Sequence, residues 1–394
     1  MRKSIRKRID MKKALLISQS QDGSYINILH RSLQKLDCKL TVISGKLPAD
    51  IDAAVDKVQS VKYDSTSFKA RFKTWMGYVR DVSRYIRQHI DEYDDYIFTS
   101  NPPINQKLVA YIQKKKKRCI YLIWDIYPNT IETAFGAAAA PIAYLWRKEN
   151  ARIYRRCDRV ITIGEVMKEV LRKDYPDLHI QVIPYHTDTK FIHPIAPEDN
   201  IFIREHHLQG KKLLMYSGKM GFGHGFNEIL ESAEMLKERQ DIQFVLIGFG
   251  AAFEDVKNHV REHALSNVLV LPYQPLEMLP YSLSSADVAF ITVKPNNDGL
   301  FLPSKVYDAM ASGSAILCIS DGSNDVSRLV DKYQLGENVR PGNSANLAEA
   351  IIRLVDAPEQ LKKCQHNARA VAEQYDVEHI VAQYTAFFSQ VLRG

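Results

Sequence analysis

The 394-residue chain has five cysteines, an odd number, scattered at Cys38, Cys119, Cys157, Cys318 and Cys364 with no Cys-x-x-Cys. That pattern argues against a disulfide scaffold or a thiolate zinc site and suits free thiols in a reducing cytosol. Long apolar runs are missing as well. The longest candidate, GAAAAPIAYLW at 136–146, contains proline and falls short of the ~18 residues that a spanning helix needs. No apolar h-region follows the basic start MRKSIRKRIDMKK, so no secretory signal is expected, residues 1–10 read as a basic extension, and the expected location is cytoplasmic. Charge is not strongly one-sided either. The net +7 permits attraction to phosphate on nucleic acid, nucleotide or anionic lipid without choosing among them. Lysines and arginines are spread along the chain and no RNA- or DNA-reading module occurs, which sets nucleic acid aside.

What the chain does have is short apolar runs alternating with helix-period stretches. KALLIS (13–18), KLTVIS (39–44), DYIFTS (95–100), RCIYLIWD (118–125), RVITIG (159–164) and IQVIPY (180–185) read as strands. After the proline-rich DTKFIHPIAPEDN (188–200) the pattern restarts with KLLMYSG (212–218), IQFVLIG (242–248), NVLVLPY (267–273), DVAFITV (287–293) and AILCIS (315–320). Continuous apolar strands flanked by helices predict α/β architecture: two doubly wound parallel sheets, in domains of about 1–190 and 200–375. The last helix, 377–394, is placed back on the first domain. Ligands of such sheets gather outside the carboxyl ends of the strands, so two facing sheets would make a cleft.

The post-strand segments are therefore the ones to weigh. SGKMGFGHG (217–225) reads either as a phosphate cradle, with Gly218, Gly221, Lys219 and His224, or as a tight turn. IGFG places Gly248 and Gly250 at a strand-to-helix corner, and PYQP places Tyr273 where a flat base could rest. DGLFLPSKVYDAMASGSAIL (298–317) says most. Ser304 offers a helix cap or a phosphate donor. Lys305 and Asp308 share one helical face, either as a surface ion pair or as a phosphate-neutralising lysine beside a hydroxyl-binding carboxylate.

From about Ile161 to Tyr384 these segments, in order, resemble the donor domain of retaining glycosyltransferases of the GT-B fold, family 4. VIPYHTDTKFIHP is similar to the family's crossover, SGKMGFGHG to its "GRLxxxKG", IGFG to its "vGxG", and PSKVYDAMASGSAIL to the Pro-Ser-Lys form of bacterial polysaccharide-assembly members. In the first half, IWDIYPN resembles the same subgroup's "DxYP". The resemblance implies transfer from a nucleoside diphosphate sugar, with uridine as the base, to a lipid-linked or saccharide acceptor in exopolysaccharide, capsule or O-antigen assembly. It sets Lys219 and Lys305 against the leaving diphosphate, Asp308 against the ribose and Asp125 on the acceptor side. Three departures stand out. Lys219 replaces the family's arginine, His224 replaces its lysine, and Leu300 falls where the first glutamate of E-x7-E belongs, with Asp298 and Gly299 nearby.

The one Asp-x-Asp, Asp50-Ile51-Asp52, lies in a turn segment and reads as solvated surface, so lysines and backbone amides are expected in place of a metal. Asp125 reads as an acceptor-side base or as a structural cap. Asp22, Gly23 and Ser24 follow the first strand and are candidates for acceptor or phosphate contact. In SFKARFKTWMGYVRDVSRYIRQHI (67–90), Phe68, Phe72, Trp75, Val79, Val82, Ile86 and Ile90 keep helical spacing. That helix is either a core element with a solvated basic face or a peripheral contact for the anionic inner membrane surface. Two rival functions remain: a sugar-nucleotide epimerase, and a non-catalytic nucleotide-sugar-binding subunit.

Overall fold

Side chains of the apolar runs are buried on both faces, which a strand tolerates only inside a sheet covered on both sides. Residues 14–17 and 315–318, for example, are fully shielded. The computed structural model describes residues 11–20, 22–64, 66–221, 225–294 and 296–393. The basic extension 1–10, His224 and the side chain of Phe68 lie outside the described residues. Two units separate: one holds the described residues of Met1–Ile163, Leu171–Ile183 and Ile380–Gly394, the other Gly164–Val170 and Pro184–His379.

The first unit carries β1 (Lys12–Ile17), β2 (Cys38–Ser44), β3 (Asp56–Gln59), β4 (Asp95–Thr99), β5 (Arg118–Ile123), β6 (Arg159–Thr162) and β7 (Ile180–Val182). They form one sheet in the order β3-β2-β1-β4-β5-β6-β7, all parallel. The second unit carries β8 (Lys212–Lys219), β9 (Ile242–Phe249), β10 (Val268–Pro272), β11 (Val288–Thr292), β12 (Ala315–Ile319) and β13 (Gly336–Val339). Their order is β10-β9-β8-β11-β12-β13, again all parallel. The α/β expectation of two parallel sheets is met. In each sheet the strand order reverses once, between β1 and β4 and between β8 and β11, which is where such folds bind ligands.

The helix Phe68–His89 starts at Ser67, whose side chain accepts from the Ala70 amide at 3.1 Å. Its face with Trp75, Tyr78, Val82 and Ile86 is buried, so it is a core element over most of its length, while Phe72 and Met76 near its start are half exposed. In the basic run 114–118, Arg118 is not a free cation: it makes a two-pronged contact with buried Asp95 at 2.6 and 3.1 Å. From Ile380 onward the helix Val377–Arg393 belongs to the first unit, where the hydroxyls of Tyr384 and Tyr25 are hydrogen-bonded and Ser32 Oγ donates to the Val381 carbonyl at 3.2 Å. Among the described residues no helix is long and apolar enough to cross a membrane.

β8 and β9 stay paired along their full lengths, to Lys219 opposite Phe249. A Cβ on Gly248 would fall 2.1 Å from the Gly218 carbonyl oxygen, and one on Gly250 2.4 Å from that of Met220. The bare α-carbons of this Gly-x-Gly therefore face the backbone of the neighbouring strand and loop. Gly248→Ala is expected to destabilise the protein by about 1–3 kcal/mol in denaturant unfolding. Gly77→Ala, inside a helix with only ordinary contact to Val61 at 3.4 Å, is expected to be neutral or to stabilise by up to about 1 kcal/mol.

Candidate active site

At the carboxyl end of β8 the chain must pass close to the helix Lys305–Ala311. Lys305 reaches back over that strand end, its Nζ 3.7 Å from the centroid of the Tyr216 ring. The ammonium nitrogen is buried and, among the described residues, has no hydrogen-bond partner. Burial pushes its pKa down from the ordinary 10.5 to about 7. Tyr216 is itself buried, and its hydroxyl donates to the Lys219 carbonyl at 2.8 Å, so one ring carries Lys305 and pins the start of the loop. Gly218 completes the arrangement. A Cβ there would stand 3.4 Å from Lys305 Nζ, and its φ of +135° is one that only glycine adopts readily.

A pocket of about 160 Å³ opens beside this ammonium, lined by Gly218, Tyr273, Ser304, Lys305 and Asp308 over an apolar floor that includes Leu279, Leu283 and Phe290. Five residues named from sequence thus meet in one place. The Lys305–Asp308 surface ion pair does not form; Asp308 accepts instead from Thr187 Oγ1 at 2.8 Å. Ser304 stands at the helix start but makes no side-chain cap bond, leaving its hydroxyl to the pocket. Tyr273 is 56% exposed, edge-on to an equally exposed Phe249, with ring centres 5.6 Å apart. Gly221 lies elsewhere, in a second pocket of about 460 Å³ with Phe226 and Thr292.

Two site groups were not read from the sequence. Tyr216 is one; a tyrosine inside an apolar strand gives no signal of its own. The other is Lys294, two residues past β11, whose pKa is lowered first by burial and then by the charge of Lys219. Lys219 itself is exposed. The two like charges feel each other where the strand order reverses, and among the described residues neither is in an ion pair. At the glutamate position, Leu300 is 6% exposed, and Asp298 accepts from Asn324 Nδ2 at 2.7 Å.

In the first unit, Asp125 sits just past β5, its backbone N–H and that of Trp124 donating to Ser100 Oγ at 3.1 Å each. Burial pushes the Asp125 carboxyl up to about 6. The next helix, Asn129–Phe135, begins at Pro128 without a side-chain cap, so Asp125 does not cap it. Burial above all raises the hydroxyl pKa values of Tyr63 and Tyr127; the charge of Asp125 adds to the rise and that of Arg71 opposes it, so these four groups are neighbours. Asp22 caps the helix Gly23–Gln34 by accepting from the Tyr25 amide at 2.7 Å. A Cβ on Gly23 would fall 2.2 Å from an Asp50 carboxylate oxygen, and Ser24 is exposed on the first turn. The Asp50 and Asp52 side chains are exposed, and buried His30 lies 3.9 Å from the Asp52 carboxylate.

Two family models match the chain: one described as glycosyl transferases group 1, over residues 198–371, and one as glycosyltransferase family 4, over residues 23–191. The chain belongs to the group 1, family 4 glycosyltransferases, with the GT-B fold. Probable glycosyltransferase WbjE of Pseudomonas aeruginosa is 28% identical over 263 residues, 66% of this chain and 65% of that protein. The putative colanic acid biosynthesis glycosyl transferase WcaI of Escherichia coli K12 is 24% identical over 178 residues, 44% of this chain and 42% of that one. These matches span less than two thirds of either relative. Among solved structures, Anabaena Alr3699/HepE in complex with UDP and glucose superposes with a TM-score of 0.72 at 15% identity, covering 96% of this chain and all of that one.

The Lys305 geometry has a consequence for stability. Unfolded, the ammonium titrates near 10.5; folded, near 7. Between those values the unfolded chain binds a proton that the folded chain lacks, so this group's contribution to stability rises with pH; below 7 the full cost of burying the charge applies. In the ligand-free protein, Lys305→Met is expected to stabilise by about 1–4 kcal/mol near pH 6, with the gain shrinking as pH rises toward 10. Urea unfolding at the two pH values checks it.

Proposed function

We propose that the chain transfers a sugar from a nucleoside diphosphate sugar, a UDP-sugar by preference, to a lipid-linked or saccharide acceptor with retention at the anomeric carbon. The observation that carries this reading is the unpartnered, buried Lys305 ammonium beside Gly218 and Asp308. As the anomeric C–O bond breaks, negative charge collects on the departing diphosphate, and preorganised cations in a dry site lower that transition state most. Lys305 meets that charge directly, with Lys219 and Lys294 adding positive potential. Asp308, held by Thr187, is oriented to accept from ribose hydroxyls, and the exposed Tyr273–Phe249 pair offers an aromatic face to the base.

Support for uridine comes from HepE, whose structure holds UDP and glucose. Support for a polysaccharide-assembly role comes from WcaI, named for colanic acid biosynthesis. In this reading Asp125 takes the acceptor hydroxyl's proton or orients it, Asp22 to Ser24 lie on the acceptor side, and the chain works peripherally at the inner face of the cytoplasmic membrane. The buried Leu300 favours one alternative, a non-catalytic nucleotide-sugar binder, because it removes a carboxylate from the position facing the sugar.

A thermal-shift panel of UDP-, GDP- and ADP-sugars tests the donor site. One nucleotide is expected to stabilise the wild type by about 2.7 kcal/mol at a hundredfold excess over its Kd, and Lys305→Ala to abolish most of that gain. If no nucleotide stabilises the protein, or if Lys305→Ala responds like the wild type, the donor-site assignment fails. Turnover separates transferase from binder. Asp125→Asn is expected to lower kcat by about 10²–10⁴-fold while the donor-induced shift is kept.

A further inference from the structure

The chain has three tryptophans, and all of them lie in the first unit, around the segment that follows β5. Trp124 belongs to that segment and stands edge-on to Tyr25, with ring centres 4.8 Å apart. Trp75 is 6.1 Å edge-on from Tyr127, and Trp146 lies 6.1 Å from the same ring, nearly parallel. Each indole N–H is shielded from water and, among the described residues, has no hydrogen-bond partner. Buried indole N–H groups usually find an acceptor, so three without one set this corner apart from a finished core.

Buried Gln19, just past β1, fixes one wall of the corner. Its Nε2 donates to the Val61 carbonyl at 3.1 Å and to the Thr74 carbonyl at 3.0 Å, tying the helix Phe68–His89 and the loop before it to the strand end. On that wall Tyr63 and Arg71 are electrostatic neighbours of Tyr127 and Asp125. Arg71 is exposed, and among the described residues its guanidinium is in no ion pair. Asp64, close by in sequence, is occupied: its Oδ1 accepts from the Thr66 amide at 2.9 Å and from the Thr66 hydroxyl at 2.7 Å. The helix itself gives Arg71 no support. Its first turn carries Lys69 and Arg71 and no acid, against the preference of a helix dipole for negative charge there.

We propose that this corner seats a saccharide ring bearing an anionic substituent, carboxylate or phosphoryl, with Arg71 gripping the anion, Tyr63 and Tyr127 against the ring and the reacting hydroxyl turned to Asp125. The chemistry of each part fits. The C–H face of a pyranose is apolar and weakly positive, and an aromatic ring presents a negative face to it. A guanidinium grips two oxygens of a carboxylate or phosphate at once, which a neutral hydroxyl cannot match. Aromatic walls with a few convergent polar groups are the usual make-up of a small-molecule site. The inference rests on the acceptor reading given above and narrows it: the acceptor is an acidic saccharide, and Arg71 is the residue that tells it from a neutral one.

Because the tryptophans are confined to this corner, their emission reports its occupancy, and the donor site holds none of them. The test is a fluorescence titration of the full chain, without nucleotide, with methyl β-glucoside, methyl β-glucuronide, glucose 6-phosphate and inorganic phosphate. At least one acidic saccharide is expected to change the emission saturably, at concentrations about tenfold or more below those the glucoside needs; the tighter of the two names the anionic group. Arg71→Gln should abolish that advantage, and Arg71→Lys should keep part of it, as a charge without the fork. Both variants should melt like the wild type and keep any nucleotide-induced shift, because Arg71 is exposed and belongs to the other unit. The inference is overturned if no saccharide changes the emission, if the glucoside binds as tightly as the acidic sugars, or if Arg71→Gln keeps the preference. It is equally overturned if inorganic phosphate alone binds as tightly as the acidic saccharides. A protein that prefers the acidic saccharides but is stabilised by no nucleotide would leave this inference standing and remove the donor assignment.

Discussion

A lysine ammonium held out of water, with no anionic partner among the described residues, is an expensive thing for a fold to keep, and the second unit is arranged around one. Lys305 lies on the Tyr216 ring, whose quadrupole offsets part of the desolvation but cannot replace a counter-charge. The neighbours follow from that placement. Gly218 must be bare to admit the ammonium, Tyr216 must be buried to present its face, and Asp308 is turned to Thr187 rather than to the cation one helical turn away. A carboxylate partner would be the cheap remedy. Its absence leaves the site suited to an anion that arrives with the substrate.

The topology explains why the demand falls here. Within the second sheet, wholly parallel, every strand delivers its carboxyl end to one edge, and the strand order reverses between β8 and β11, where such folds bind ligands. Lys219 and Lys294 come from the two sides of that reversal, and Lys305 from the helix before β12. Lys219 and Lys294 repel each other in the free protein, so an incoming anion gains from relieving the repulsion as well as from direct pairing. The same loops hold no carboxylate in the glutamate position: Leu300 turns inward and Asp298 is engaged with Asn324.

Much of this was legible from the residues. Runs such as KALLIS and AILCIS are buried on both faces and announce themselves by composition. β3 and β13 were not anticipated. Both are edge strands, and DKVQ and GENV carry polar side chains because one side of each meets solvent. Glycine was the ambiguous letter. Gly218 is bare for the sake of a side chain, Gly248 and Gly250 for the sake of a neighbouring backbone, and local sequence does not distinguish these. Asp22 likewise carries a structural task that its post-strand position did not announce, its carboxylate capping its own helix. Tyr216 and Lys294 were invisible for a different reason: their role comes from which strand ends lie side by side, and that is a property of strand order.

The most direct test of the buried cation is an NMR titration of the Lys305 side chain, isotopically labelled and assigned by substitution, without and with saturating UDP. The expected result is an apparent pKa near 7 in the free protein, raised well above that value when the diphosphate is bound. An ordinary value near 10.5 in the free protein, or a low value that UDP leaves unmoved, would contradict the account.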